Sequence, residues 1–142
     1  MNFASIRERL RNLSWPVPRR DPRLLLGLRG ERTAARYLRR HHHRILVHNY
    51  HCVAGEIDLI CSNGDTIVFV EVKTRSSDVA EDPLEAMRKT QWRRIEGAAR
   101  YFLLQRSVQD RPCRFDLVTV VWPPRGSPRI EHFVDAFQPR RS

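Results

Sequence analysis

The sequence predicts an α/β fold: a mixed sheet of about five strands flanked by helices, in the order αβββαββ. Three observations carry that expectation. Two long stretches repeat apolar residues with the period of a helix, and five shorter ones read as strands. Ser62-Asn63-Gly64-Asp65 sets a tight turn between two of those strands. At 142 residues the chain has room for one domain, assigned to 23–138, with a basic arm at 1–22 and a loose basic tail at 139–142.

In the arm, the prolines of Trp15-Pro16-Val17-Pro18-Arg19-Arg20-Asp21-Pro22 forbid continuous helix and leave room only for a short one around Ile6 to Leu13. A helix follows from about Leu24 to Arg40, with Leu24, Leu28, Ala35 and Leu38 on one inward stripe. Glu31 falls on that stripe, where a carboxylate is costly unless paired. Two partners fit: a metal or lysine from the hairpin that follows, or Arg29 or Arg32 on its own helix. His41-His42-His43 cannot all face one ion and reads as a solvated helix end, where cationic imidazoles suit the dipole. Residues 44–50 form the first strand.

The hairpin supplies the next two. A turn centred on Asn63-Gly64 sets Asp58 opposite Phe69 and Glu56 opposite Glu71, which puts Asp58, Glu71 and Lys73 on one face. Asp82-Pro83-Leu84-Glu85 is a helix start, with an aspartate cap and proline in the first turn. That helix is expected to run to about Arg106 on a stripe of Leu84, Met87, Gln91, Ile95, Ala98, Ala99 and Phe102. Gln91 is the polar exception; its amide could serve a metal-bound water, a phosphate or the lysine, or could cap a nearby backbone group. Arg88, Lys89, Arg93, Arg94 and Arg100, with Trp92 among them, form the opposite face, suited to phosphate contacts and stacking or to plain solvation. Arg114 to Trp122 reads as the fourth strand. Arg129 to Phe133 reads as a short fifth, beyond the turn Pro123-Pro124-Arg125-Gly126.

Chemistry concentrates in the hairpin. Lys73 is one of two lysines among 26 cationic residues and stands two positions after Glu71. Two carboxylates about 4 Å apart repel by about 4 kcal/mol at an effective dielectric of about 20, a repulsion that a bound cation offsets. Hard oxygen donors suit Mg²⁺ or Mn²⁺, which activate water and polarise a phosphodiester, while Lys73 could place the water or stabilise charge developing on phosphate. A solvated hairpin face carrying acids and a lysine is the alternative.

Charge layout favours nucleic acid. The chain carries a formal +10, with twelve arginines against Glu8, Asp21 and Glu31 in residues 1–50, whereas residues 51–82 hold seven acids against Lys73 and Arg75. An acidic island in a basic chain suits a protein that draws in a phosphate backbone around a metal pocket. Cys52, Cys61 and Cys113 include no close pair, which argues against a disulfide framework or zinc knuckle and for a reduced, cytoplasmic setting. Leu24-Leu25-Leu26 is far too short to span a bilayer, and no segment suggests export.

The element order, with an acid on the first helix, an aspartate on the second strand and Glu-x-Lys on the third, resembles the PD-(D/E)xK nuclease superfamily and its restriction-endonuclease-like core. Gly30-Glu31, Gly55-Glu56-Ile57-Asp58-Leu59-Ile60, Phe69-Val70-Glu71-Val72-Lys73-Thr74-Arg75 and Arg114-Phe115-Asp116 resemble the small bacterial YraN-like family, itself similar to archaeal Holliday-junction resolvases. Ile57, not proline, precedes Asp58, a departure that removes no ligand. The resemblance implies that Glu31, Asp58 and Glu71 bind Mg²⁺ or Mn²⁺, that Lys73 assists the nucleophile and that Gln91 is accessory. The expectation drawn from charge, motif and resemblance together is a cytoplasmic, metal-dependent endonuclease-like protein acting on DNA, branched or damaged forms included, with Arg75, Arg88, Lys89, Arg93 and Arg94 on the phosphates; a homodimer is implied by the resemblance to the resolvases alone. The rival expectations are a non-catalytic nucleic-acid-binding module of a repair, recombination or uptake complex, and an interaction protein whose basic arm meets acidic partners.

Overall fold

In the computed structural model, helix α1 (Pro22–Arg40) leads into strands β1 (Arg44–Cys52), β2 (Gly55–Asn63) and β3 (Thr66–Ser76). The short helix α2 (Pro83–Ala86), the longer α3 (Lys89–Gln105) and strands β4 (Cys113–Trp122) and β5 (Arg129–Phe137) follow. The structure describes residues 22–77 and 81–139, so the expected arm and the end of the tail lie outside it. The five strands form one sheet in the order β1-β2-β3-β4-β5, antiparallel except for the parallel β3–β4 pair. A parallel neighbour requires a crossover, which α2 and α3 provide. The expected class, a mixed α/β sheet flanked by helices and consistent with a restriction-endonuclease-like core, is what the chain forms.

Consecutive residues of β3 point to opposite faces and divide the core in two. Val68, Val70 and Val72 pack with Leu59, Cys61, Val118 and Val120 against Ala34, Ala35 and Leu38 of α1. Ile67 and Phe69 pack with Ile60, Phe115 and Leu117 against Trp92, Ile95, Ala98, Ala99 and Phe102 of α3. Small residues let α1 lie close to the sheet. Gly30 shows the limit, since a Cβ there would sit 1.7 Å from Thr74 Oγ1. The inward stripe on α1 is shorter than its leucines suggest, because Leu24 is 46 % exposed. His42 takes φ 64°, and His43 N returns to Leu38 O at 2.9 Å, which ends α1.

Two expectations of register are corrected. The hairpin loop is Gly64-Asp65, one residue later than the expected centre, with Asn63 opposite Thr66 and Gly64 at φ 57°. Glycine as the first of two central residues suits a II′ turn, which leaves asparagine in the strand. One residue of turn moves the register by two, so Leu59 faces Val70 and Ile60 faces Phe69. A shift of two preserves the face, and Asp58 therefore stays on the same side as Glu71.

The second correction concerns the helix after β3. Asp82 caps it as expected, Oδ1 accepting from Leu84 N at 2.9 Å. The helix then stops, because Met87 (ψ 110°) and Arg88 (ψ 148°) are extended before α3 begins. Met87 is buried at this break, and a new helix starts at Lys89, which puts Gln91 in its first turn. Trp92 replaces Gln91 on the inward stripe and stacks on Phe137 with ring centroids 5.2 Å apart. Trp92 is therefore a core residue and offers no stacking platform. β5 is also longer than expected, running to Phe137, where it pairs with Phe115.

A Gly30→Ala substitution is expected to destabilise the fold by roughly 1–3 kcal/mol, the usual cost of overpacking. Urea denaturation would read this as a lowered midpoint with an unchanged slope.

Candidate functional site

β2 and β3 pair only as far as Leu59 and Val70. Beyond that point β3 keeps β4 on one side, but Val72 N has no partner strand on the other and donates instead to Asp58 Oδ2 at 2.8 Å. Asp58 thus substitutes for a strand where the sheet opens. Glu71 hydrogen-bonds Asp58 through its side chain, and Lys73 Nζ lies 3.8 Å from Glu71 Oε1. Glu31 reaches the same cleft from α1, near enough to Asp58 to feel its charge, and hydrogen-bonds the side chain of Asn49. Of the residues expected from sequence, Glu31, Asp58, Glu71 and Lys73 are thus brought together.

Burial and mutual repulsion dominate the electrostatics. Burial, then the Asp58 charge, push Glu71 up to about 8 despite Lys73. Burial also raises Asp58, opposed by its hydrogen bonds from Val72 N and Glu71 and by Lys73. Their mutual hydrogen bond raises Glu71 and lowers Asp58, the sense in which Glu71 donates and Asp58 accepts. Glu31 is raised to about 7 by burial and by Asp58, with the Asn49 hydrogen bond pulling the other way. Lys73 offsets the charge of Asp58 and Glu71, while Glu31 has only the Asn49 hydrogen bond against burial and the acids around it.

The other expected residues sit apart from this cleft or are already engaged. Gln91 Oε1 accepts from Arg88 N at 3.1 Å, closing the start of α3, so the backbone-capping alternative is the one realised. Arg75 Nη1 pairs with Glu81 Oε2 at 3.4 Å. Arg88, Lys89, Arg93 and Arg94 are exposed on α3.

Asn49 was not anticipated. Its φ of 48° is left-handed, a conformation that asparagine tolerates, and its place in a strand, where asparagine is rare, was the available signal.

A second polar cluster was also missed. His43 is buried, against the expected solvated triplet, because α1 ends in a turn that swings it inward; His41 and His42 remain exposed. His43, Asp116 and His132 are the group of ligand-type side chains whose donor atoms lie within 4.8 Å of one another among the described residues, a spacing the Glu31, Asp58 and Glu71 carboxylates do not meet. This cluster is complete without an ion. The fully buried Asp116 receives Arg114 Nε at 3.0 Å, His132 Nε2 at 2.7 Å and Asp135 N at 2.9 Å. His43 Nδ1 donates to His41 O at 2.8 Å, leaving Nε2 to accept from Arg114 at 3.1 Å. The guanidinium occupies the place a metal would take. Burial alone would raise Asp116, but His132, Arg114 and Asp135 N hold it below the ordinary value; burial, with His132 and Arg114 close by, lowers His43 against the hydrogen bond to His41 O.

Comparison with known proteins places the chain. Residues 30–120 match the model of the Uncharacterised protein family UPF0102. The chain belongs to UPF0102. It is 42 % identical over 112 residues to a UPF0102 protein of Geotalea daltonii, spanning 79 % of this chain and 88 % of that protein. A UPF0102 protein of Nitratidesulfovibrio vulgaris is 44 % identical over 118 residues, covering 82 % and 87 %. That of Pelotomaculum thermopropionicum is 39 % identical over 121 residues, covering 82 % and 98 %. The match to UPF0102 takes in Glu31, Asp58, Glu71, Lys73 and Asp116. No helix among the described residues is long and apolar enough to cross a membrane.

Two outcomes follow. A carboxyl whose pKa rises on folding binds its proton more tightly folded than unfolded, so its contribution is full below the ordinary carboxylate pKa and is lost as pH rises through the folded value. With Glu31 near 7 and Glu71 near 8, the thermal midpoint in metal-free buffer should fall across that range. Glu71→Gln should flatten its upper part. For the second cluster, Arg114→Ala leaves Asp116 buried and under-paired and should cost about 3–5 kcal/mol in chemical denaturation.

Proposed function

We propose that this chain is a cytoplasmic, metal-dependent endonuclease-like protein that hydrolyses phosphodiesters in DNA, branched or damaged DNA included. The observation that supports this most is the cleft at the open edge of β3, where Asp58 and Glu71 meet beside Lys73 and Glu31 lies within the field of Asp58, with proton affinities raised to about 7 for Glu31 and about 8 for Glu71. The donor set fits Mg²⁺ or Mn²⁺. All three donors are hard oxygens, and Mg²⁺ is ordinarily held by one or two carboxylates while keeping several waters, so the three acids need not touch one another. Glu31, Asp58 and Glu71 would hold the ion, which supplies charge neutralisation and polarisation of the phosphodiester.

The chain's own groups do the rest. Asp58 keeps Oδ1 for a ligand while Oδ2 stays on Val72 N, so one acid is rigidly aimed. Glu71 must lose the proton it donates to Asp58 before it can bind a cation. Lys73, a compact charge on a flexible stem, faces the same side as Glu71 and stabilises negative charge developing on phosphate or positions the attacking water. Arg88, Lys89, Arg93 and Arg94, exposed on α3, provide phosphate contacts, and Arg75 joins them once released from Glu81.

A second reading, a nucleic-acid-binding module that cuts nothing unaided, is favoured by one observation. Gln91 is turned onto its own helix end, so the amide expected to serve the site does not meet the acids. Incubating the full chain with four-way, flapped, forked and single-stranded DNA, with Mg²⁺, Mn²⁺ or chelator, separates the two. Metal-dependent cleavage should fall by roughly a hundredfold or more in Asp58→Asn and in Lys73→Ala, with DNA affinity retained. Binding without cleavage of any substrate by the intact protein would leave the module reading standing and remove the enzymatic one.

A further inference from the structure

The outward face of α1 carries arginines and nothing acidic. Arg29, Arg32, Arg36, Arg39 and Arg40 are all exposed and recur at steps of three and four residues, so they run along one side of the helix, opposite the buried Gly30, Ala34, Ala35 and Leu38. Glu31, the one acid in α1, points to the cleft instead. Arg29 lies over the Trp122 ring at 4.3 Å, which anchors that end of the row. Among the described residues, no carboxylate pairs with Arg32, Arg36, Arg39 or Arg40, whereas Arg75, Arg100, Arg114 and Arg129 each have one. Arg39 is also close enough to His48 to help depress its pKa.

Like charges three and four residues apart weaken a helix. Arg32/Arg36, Arg36/Arg39 and Arg36/Arg40 all stand in that relation with no acid between them, an arrangement that an extended polyanion lying along the helix relieves. Arg29 to Arg40 spans roughly 16 Å at the rise of an α-helix. One DNA strand presents a phosphate about every 3.4 Å of duplex axis, so about five phosphates lie alongside.

We infer that the α1 arginine row is a second nucleic-acid-binding surface that takes the phosphate backbone of a separate duplex segment. α1 and α3 pack on opposite faces of the sheet, so a segment on α1 and one on the α3 cations lie on opposite sides of the molecule. The chain thereby bridges two segments, such as two arms of one branched DNA. This inference rests on the nucleic-acid part of the proposed function and not on cleavage.

The test uses the full chain with chelator present, which removes catalysis from the readout. Wild type and an Arg32→Gln/Arg36→Gln/Arg40→Gln variant are titrated with a fluorescein-labelled duplex at several salt concentrations. Bridging is read separately as energy transfer between donor-labelled and acceptor-labelled duplexes. The variant should lose about three units of the slope of log affinity against log salt, near 0.9 per arginine, and lose the energy transfer, while circular dichroism stays unchanged. The corresponding triple Arg→Lys variant should keep both, which separates charge from helix structure. An unchanged salt slope and unchanged bridging in the Gln variant overturn the inference. Loss of binding to vesicles of equal parts phosphatidylglycerol and phosphatidylcholine, with DNA binding unchanged, assigns the row to an anionic membrane and also overturns it. No DNA binding by wild type removes this inference together with the proposed function, whereas binding and bridging without cleavage removes only the catalytic reading.

Discussion

The hydrogen bond from Val72 N to Asp58 Oδ2 is the contact on which the arrangement of the cleft depends. β3 is the middle strand of the sheet, and its amides are too buried to go unpaired. Where β2 leaves it after Val70, Asp58 supplies an acceptor in place of a strand. That exchange opens a gap beside Glu71 without leaving an orphaned donor. One residue therefore terminates a ladder and lines the cleft, and the neighbouring Glu71 enters the gap as a consequence of strand alternation.

Position of the third acid depends on α1, which is held at both ends. Gly30 seats it on Thr74 near the cleft. At the far end, Tyr37 stacks on His41 at 4.0 Å and meets the His132 ring edge-on at 5.6 Å, tying the helix to the buried Asp116 network. Asp116 lies level with Val70 in the β3–β4 register, the last β3 residue paired with β2. The network therefore braces the sheet just where it begins to open, and its buried charges are matched within the cluster by Arg114. Its role is mechanical: it fixes α1, and through α1 it fixes Glu31.

Much of this was legible in the sequence, and what was not has physical causes. Alternation on β2 and β3 placed Asp58 and Glu71 on a common face, a conclusion that survives a register error of two because the side-chain period is two. The turn was misplaced because Asn-Gly satisfies a I′ loop, while the chain uses the Gly-first loop one residue later. The face of α3 was misread for a different reason. Periodicity assumes an unbroken helix, whereas the extended Met87-Arg88 pair starts a new one at Lys89, so Gln91 falls in its first turn and turns back to cap it, while Trp92 goes in. His43, Asp116 and His132 are far apart in sequence, and no local pattern reveals that a histidine after α1 meets an aspartate in β4. The acid on α1 was visible only as an anomaly on an apolar stripe, and Asn49 only as a poor strand former.

Charge in the cleft follows from what it excludes as much as from what it contains. Burial and the mutual repulsion of Glu31, Asp58 and Glu71, with Glu56 adding a weaker field, raise the proton affinity of all three, and Lys73 opposes this at Asp58 and Glu71. A phosphodiester brought beside them adds negative charge and raises that proton affinity further. A divalent cation does the opposite and drives the protons out. Through the protons alone two such ligands oppose each other, whereas their direct attraction favours joint binding, and by thermodynamic reciprocity the net coupling is equal in both directions. On the proposed reading the cleft is unfavourable to an isolated anion and made receptive by a cation, while the arginines on the helices outside it supply the attraction for a phosphate backbone. Long-range attraction and local selectivity are on that reading assigned to different residues of a chain of net charge +10.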